Sequence, residues 1–164
     1  MFKHILIALD GSRFAERAVD PALQLALRFE SQVTLLRAAA PVPQPVVMGP
    51  GLNLAHLDLQ RRAAELEMKE AEAYLDSIRR QWSGLGIPVR VEVTRGDPAE
   101  MIVDSAASVD ADLIVMTTHG RSGLKRLIYG SVAEGVLRGS PVPVLLIPVK
   151  VSGNHNGPAA ATRP

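Results

Sequence analysis

The fold is decided by the stretch Ile5-Leu6-Ile7-Ala8-Leu9-Asp10-Gly11-Ser12. Five consecutive apolar residues suit a strand that is buried on both faces, which is typical of a parallel sheet covered by helices. Asp10-Gly11-Ser12 ends this strand, and apolar residues at helical spacing follow between Arg13 and Glu30. The beginning of the chain therefore predicts a strand, a tight loop and a helix.

The rest of the chain repeats this alternation. Further strands are predicted at Gln32–Ala40, Val89–Val93, Leu113–Met116 and Val142–Val149, and further helices at Ala55–Trp82, from Asp97-Pro98 to Val109, and from Ser131 to Arg138. Alternation of this kind predicts an α/β domain of three layers, a parallel sheet between two layers of helices. Pro143 and Pro148 favour an edge position for the last strand. We expect one domain over residues 1–150 and a flexible tail over residues 151–164.

The composition argues against several classes of function. The 164 residues include 18 Lys and Arg against 17 Asp and Glu, and this net charge of +1 gives no broad field for binding nucleic acid or a membrane surface. Cysteine is absent, which removes thiolate chemistry and is consistent with a cytoplasmic location. No apolar run approaches the length of a membrane span. The four histidines have no metal-ligand spacing.

The loop after the fourth strand leads into the sequence Gly130-Ser131-Val132-Ala133-Glu134. Ser131 followed by Glu134 three residues later is a capping-box pattern, which predicts that Ser131 begins the helix as its cap. In open parallel sheets, ligands bind beyond the carboxyl ends of the strands. A helix N-terminus at that edge offers unpaired N–H groups and a positive dipole end, which attract anions.

Glycines and basic residues surround this predicted helix N-terminus. Glycine lets the backbone approach a ligand without an intervening Cβ, and positive charge attracts phosphate. The glycines are Gly120, Gly123 and Gly130, and the basic residues are Arg121, Lys125 and Arg126. Together they predict a site for a diphosphate or a triphosphate.

Gly120 and Gly130, with nine residues between them and followed by Ser131, resemble the second half of the universal stress protein signature, Gly-x2-Gly-x9-Gly-Ser/Thr. The opening stretch Ile5–Ser12, the stretch Gly120–Glu134 and the ending Pro141–Pro148 are similar to that family in the same order. The resemblance implies a flavodoxin-like fold of the adenine nucleotide alpha hydrolase-like type, with five strands in the order 3-2-1-4-5. It also implies a homodimer that forms through the last strand, Val142–Val149.

The resemblance further implies a site for ATP. Adenine would lie among alanine and leucine side chains with Met116 closing the pocket, and Asp10 would contact the ribose or a Mg²⁺ ion bound to the phosphates. The implied nucleotide-binding residues are Ala8, Leu9, Asp10, Ala38, Met116, Thr117, Gly120, Arg121, Gly123, Gly130, Ser131 and Val132. Asp10 also has a simpler interpretation, in which it caps the first helix or fixes the turn, and both interpretations stay open.

Thr117 departs from the family pattern, because the first glycine of the signature falls at this position. A β-branched side chain makes a left-handed backbone costly. We therefore expect Thr117 to strain the turn after the fourth strand and to narrow the approach to the ribose.

Three functions are consistent with these residues. The first is an ATP-binding, dimeric stress-response sensor without efficient hydrolysis, because neither a general base nor an arginine finger is evident. The second is a dimeric interaction module without nucleotide, which Thr117 favours. The third is a transferase or ligase that uses ATP; this rests on analogy of fold alone, and its second pocket would have to come from the proline-rich stretch Pro41–Leu54.

Overall fold

The computed structural model describes residues 1–39, 41, 54–118 and 130–149, with the main chain alone for residues 54–56. Strands and α-helices alternate along these ranges, as the sequence predicts. The strands are β1 (His4–Ala8), β2 (Gln32–Ala39), β3 (Val89–Arg95), β4 (Leu113–Thr117) and β5 (Val144–Ile147). The helices are α1 (Val19–Phe29), α2 (Leu54–Gln81), α3 (Pro98–Ser108) and α4 (Ser131–Gly139).

The five strands form one parallel sheet with the order β3-β2-β1-β4-β5. This is the order that the family resemblance implies, and the predicted fold class is confirmed. Because β1 pairs with both β2 and β4, the strand order reverses at β1 and β4. The carboxyl ends of these two strands form the crevice in which such sheets bind ligands.

Two hydrophobic layers cover the sheet, one on each face. Ile5 and Ile7 of β1 pack toward α1 and α2. Leu6 and Ala8, which alternate with them, pack toward α3 and α4. The continuous apolar run of β1 is thus explained by burial on both faces. No helix within the described ranges combines the length and the apolar content that crossing a membrane requires.

The first helix begins later than its apolar spacing predicts. Residues Ala15–Ala18 form a 3₁₀ turn, and the α-helix starts only at Val19. Pro21 accounts for this delay, because it lacks the N–H that would bond the Arg17 carbonyl in a continuous α-helix. The helix ends at Phe29, and the C-cap residue Glu30 has a left-handed φ of 53° and donates its N–H to the Ala26 carbonyl.

The other elements lie close to their predicted bounds. In α2 the predicted inner face is buried at Ala71, Leu75, Ile78 and Trp82, whereas its earlier members Ala64 and Met68 are half-buried. β5 is shorter than predicted, because Pro143 and Pro148 flank it and cannot donate to a strand partner. Its predicted edge position is confirmed.

Candidate functional site

A cavity of about 300 Å³ opens at the carboxyl ends of the central strands. Among the residues that line it are predicted site residues from both strand–loop–helix units: Ala8, Leu9, Asp10, Ala38, Met116, Thr117, Gly130, Ser131 and Val132. The remaining predicted residues, Gly120, Arg121 and Gly123, lie outside the described part of the chain. The structure therefore brings together, around one cavity, positions separated by more than one hundred residues in sequence.

The cavity also has walls that sequence reasoning missed. These residues are Ala15, Leu36, Pro98, Ile102, Thr118 and Ala133. Leu36 was detectable, because alternation along β2 puts it on the same face as Ala38. Pro98 and Ile102 belong to α3, and only tertiary packing brings the first turns of α3 to the cavity. Apolar residues of the sheet and of α3 therefore line the cavity together.

Asp10 fixes the turn that follows β1. Its Oδ1 accepts a hydrogen bond of 2.8 Å from the Ser12 N–H. Gly11 between them has a φ of +80°, a conformation that glycine adopts without the cost of a Cβ. The turn-fixing interpretation of Asp10 is therefore confirmed. Because Asp10 also lines the cavity, and is the one carboxylate among the lining residues that the structure describes, the ligand role stays open as well.

The N-terminus of α4 faces the same cavity, but Ser131 is not its cap. Gly130 occupies the N-cap position with φ −56° and ψ 154°, and its carbonyl accepts the first helical hydrogen bond from the Glu134 N–H at 2.9 Å. Glu134 pairs with Arg138 at 2.5 Å. The predicted capping box is therefore wrong, because glycine adopts the extended N-cap conformation and Ser131 is already the first helical residue.

The N-caps of α3 and α4 differ in whether a side chain bonds the first-turn N–H groups. The α3 N-terminus also borders the cavity, but Asp97 caps it by accepting hydrogen bonds from the N–H groups of Ala99 (3.0 Å) and Glu100 (3.2 Å). The α4 N-cap is a glycine, which has no side chain that could accept such bonds. Within the described ranges, the N-cap residue of α4 thus makes no side-chain hydrogen bond to the first-turn N–H groups, whereas that of α3 does.

Two main-chain hydrogen bonds fix the position of the α4 N-terminus. The Gly130 N–H donates to the Thr118 carbonyl at 2.9 Å, and the Thr118 N–H donates to the Ile147 carbonyl at 3.1 Å. A Cβ on Gly130 would lie 3.2 Å from the Thr118 oxygen, so only glycine fits without adjustment. The start of α4 is therefore anchored to the end of the sheet.

Thr117 does not strain a turn, contrary to the sequence expectation. It is the buried last residue of β4 and pairs with Ile147 of β5. Within the described ranges, the residues other than glycine with positive φ are Glu30 and Asp110. Alternation with Val115 directs the Thr117 side chain toward the α1 face, away from the face on which Met116 packs. The turn that would need glycine does not occur at this position.

A family model, described as the universal stress protein family, matches residues 1–148. The chain belongs to the universal stress protein family. A universal stress protein from Thermus aquaticus is 35% identical over 148 residues, which are 90% of this chain and 99% of that protein.

Solved structures of the family agree with the observed fold. The structure of the protein MJ0577 of Methanocaldococcus jannaschii has a TM-score of 0.76 and 27% identity, and covers 93% of this chain and 99% of that chain. A universal stress protein solved in complex with cAMP has a TM-score of 0.60 and 24% identity, and covers 89% of this chain and 96% of that chain. At that identity the second likeness concerns the fold alone.

Proposed function

We propose that this chain binds an adenine nucleotide, ATP with Mg²⁺, in the cavity between β1 and β4. In this proposal it acts in the cytoplasm as a dimeric stress-response sensor that hydrolyses ATP slowly or not at all. The observation that carries the proposal is the side-chain-free N-cap of α4, which opens onto an apolar cavity at the point where the strand order reverses.

The apolar residues that line the cavity support binding of a planar base. Ala8 and Ala38 leave space above the sheet that larger side chains would fill, and Met116 and Ile102 supply polarizable and aliphatic walls. A base in contact with these residues would bury apolar surface. A universal stress protein has been solved in complex with cAMP, and an adenine nucleotide as the ligand of this chain is in keeping with that complex.

The first turn of α4, which borders the same cavity, supports binding of phosphates. The first-turn N–H groups of Ser131, Val132 and Ala133 begin a nine-residue helix, and the partial positive charge there favours an anion. The Ser131 side chain is exposed at this end and can donate a hydrogen bond. In this proposal the base and the phosphates bind in the same cavity.

Asp10 fits the Mg²⁺ of a metal–nucleotide complex. Mg²⁺ is usually held by one or two carboxylates together with the phosphates of the nucleotide, and Asp10 supplies a carboxylate at the cavity. When bound, the ion would neutralise phosphate charge. Asp10 would orient it while its Oδ1 keeps the bond to the Ser12 N–H.

The direct experiment is titration calorimetry with ATP and Mg²⁺ on protein stripped of nucleotide. We expect saturable heat and a rise in the melting temperature. No heat and no thermal shift at millimolar ATP would contradict the proposal and favour the interaction module. The ultraviolet spectrum of the protein as purified provides a second test, because one tryptophan and two tyrosines absorb weakly enough for bound adenine to be visible.

A further inference from the structure

Arg37 lies on β2 immediately before Ala38 of the cavity, but alternation puts its side chain on the opposite face of the sheet. Its guanidinium is held between two groups there. A Cβ on Gly11 would lie 3.1 Å from Nη1 and 3.2 Å from Cζ of Arg37. On the other side, Cζ lies 5.6 Å from the centroid of the Tyr74 ring, a cation–π contact. The guanidinium therefore fills the space between the Gly11 turn and α2.

The turn against which Arg37 packs is the one that carries Asp10. Gly11 has a left-handed φ of +80°, and the Asp10 carboxylate spans the turn by accepting from the Ser12 N–H at 2.8 Å. On its C-terminal side, Ser12 accepts hydrogen bonds from the N–H groups of Ala15 (3.1 Å) and Glu16 (3.2 Å). The half-buried guanidinium of Arg37 packs against the glycine in the middle of this turn.

The charges around this contact also involve Asp10. The Tyr74 hydroxyl is buried, and the Glu16 carboxylate lies close enough to act on it. Burial raises the pKa of Tyr74, the carboxylates of Glu16 and Asp10 raise it further, and Arg37 lowers it. The positive charge of Arg37 thus lies near two carboxylates, those of Glu16 and Asp10, and next to the neutral phenol of Tyr74.

We propose that Arg37 is a positioning residue for Asp10. Packed between Gly11 and Tyr74, it holds the Asp10–Ser12 turn from behind the sheet, so that the Asp10 carboxylate meets the ribose or the Mg²⁺ of a nucleotide in the cavity. The inference deepens the proposed function and rests on it. It predicts that Arg37 affects nucleotide affinity through Asp10, although it does not line the cavity.

The first experiment is a double-mutant cycle on ATP affinity in the presence of Mg²⁺. Arg37→Met keeps much of the packing and removes the charged plane, and Asp10→Asn removes the carboxylate charge. We expect each substitution to weaken binding about tenfold and the double variant to be little weaker than either single variant, because coupled residues are not additive. Arg37→Lys should restore part of the affinity, since it keeps the charge. Arg90→Met on β3, which removes the same charge from an exposed position, is the control and should bind like the wild type.

The second experiment needs no nucleotide. Amide hydrogen exchange at Ser12 reports the bond to Asp10, and we expect it to accelerate about tenfold in Arg37→Met while staying unchanged in Arg90→Met. An additive cycle, or unchanged Ser12 exchange in a folded Arg37→Met protein, would overturn the positioning role. Wild-type protein that binds no ATP would instead contradict the proposed function, and the exchange result would still decide whether Arg37 holds the turn.

Discussion

Gly135 of α4 packs so closely against Ala99 of α3 that a Cβ on the glycine would lie 2.7 Å from the Ala99 Cβ. Side-chain carbons do not approach to this distance, so the glycine sets the separation of the two helices. The residues just before this contact, Pro98 on α3 and Ser131 to Ala133 on α4, line the cavity. The contact therefore also sets the width of the cavity between the two helix N-termini.

Replacing Gly135 with alanine should push the helices apart. We expect the free energy of unfolding to fall by about 1–2 kcal/mol, because overpacking outweighs the gain in helix propensity. Urea denaturation measures this. Ala99→Gly in the same protein should restore most of the loss by removing the opposing Cβ. Gly139→Ala is the matched control, because its new Cβ would lie at an ordinary 3.5 Å from Val103 Cγ2. An equal loss in both single variants would contradict this explanation.

Gly130→Ala should weaken nucleotide binding more than it destabilises the fold. The new Cβ, 3.2 Å from the Thr118 oxygen, must displace the N-terminus of α4 by a few tenths of an ångström. Because phosphate binding depends on the positions and directions of the N–H groups, we expect ATP affinity to fall about tenfold. Calorimetry on Gly130→Ala and Gly139→Ala compares a glycine at the cavity with one distant from it. Unchanged affinity in Gly130→Ala would show that the α4 N-terminus does not bind the phosphates.

Thr117→Gly should leave ATP affinity within about twofold of the wild-type value, because Thr117 ends a regular strand and does not occupy a turn that needs glycine. The same substitution should lower the free energy of unfolding by about 1 kcal/mol, since it introduces glycine into a buried strand. Calorimetry and urea denaturation on the same preparation separate the two effects. A large gain in affinity would indicate that Thr117 obstructs the site after all.

The β5 edge offers a sharp test of the proposed dimer. The carbonyls of Pro143 and Ile147 accept hydrogen bonds from β4. Main-chain groups of successive strand residues point to opposite sides, so Leu146, next to Ile147, directs its N–H and carbonyl away from β4. Leu146→Pro removes an outward donor without removing a bond to β4. We expect light scattering to report a monomer for Leu146→Pro and a dimer for Leu146→Ala, which loses similar packing but keeps the N–H. A dimer in both would place the interface elsewhere.

Buried His4 should make the stability depend on pH. Its Nε2 lies 2.8 Å from Thr34 Oγ1, and its Nδ1 accepts from the Gln32 side chain at 3.1 Å. Burial lowers the pKa of His4 below its ordinary value of about 6.5. As the pH falls, His4 is therefore protonated in the unfolded chain before it is protonated in the folded protein. The contribution of neutral His4 to the free energy of unfolding is fully present above about pH 6.5 and is lost as the pH falls from there to the folded-state pKa. Unfolding at pH 7.5 and 5.5 should show a smaller decline in His4→Gln than in the wild type. Equal declines would exclude His4 as the cause.

The sheet and most element bounds could be predicted because they follow from local patterns. The apolar run of β1 indicates burial on both faces. Asp97-Pro98 predicts a helix start, which is confirmed because Asp97 is the N-cap of α3 and Pro98 its first residue. Ser131 fails the same kind of argument, because Gly130 before it adopts the N-cap conformation. Thr117 was misjudged for a related reason, since the sequence could not tell the last residue of a strand from the first residue of a turn.

The parts of the site that sequence reasoning missed depend on distant elements. Ile102 reaches the cavity through the packing of α3 against α4, which Gly135 controls. Arg37 acts across the sheet from the residues that it supports. Neither position belongs to a motif, and neither is near Asp10 or Gly130 in sequence. Only the three-dimensional arrangement relates them.

The hydrogen bond between the Gly130 N–H and the Thr118 carbonyl ties the two ends of residues 119–129 together at a spacing of 2.9 Å. A segment whose ends are already joined can gain or lose residues at little thermodynamic cost, because each doubling of a loop's length adds only about 0.6 kcal/mol of closure entropy. Insertions and deletions between Thr118 and Gly130 should therefore cost little stability while the described scaffold stays the same.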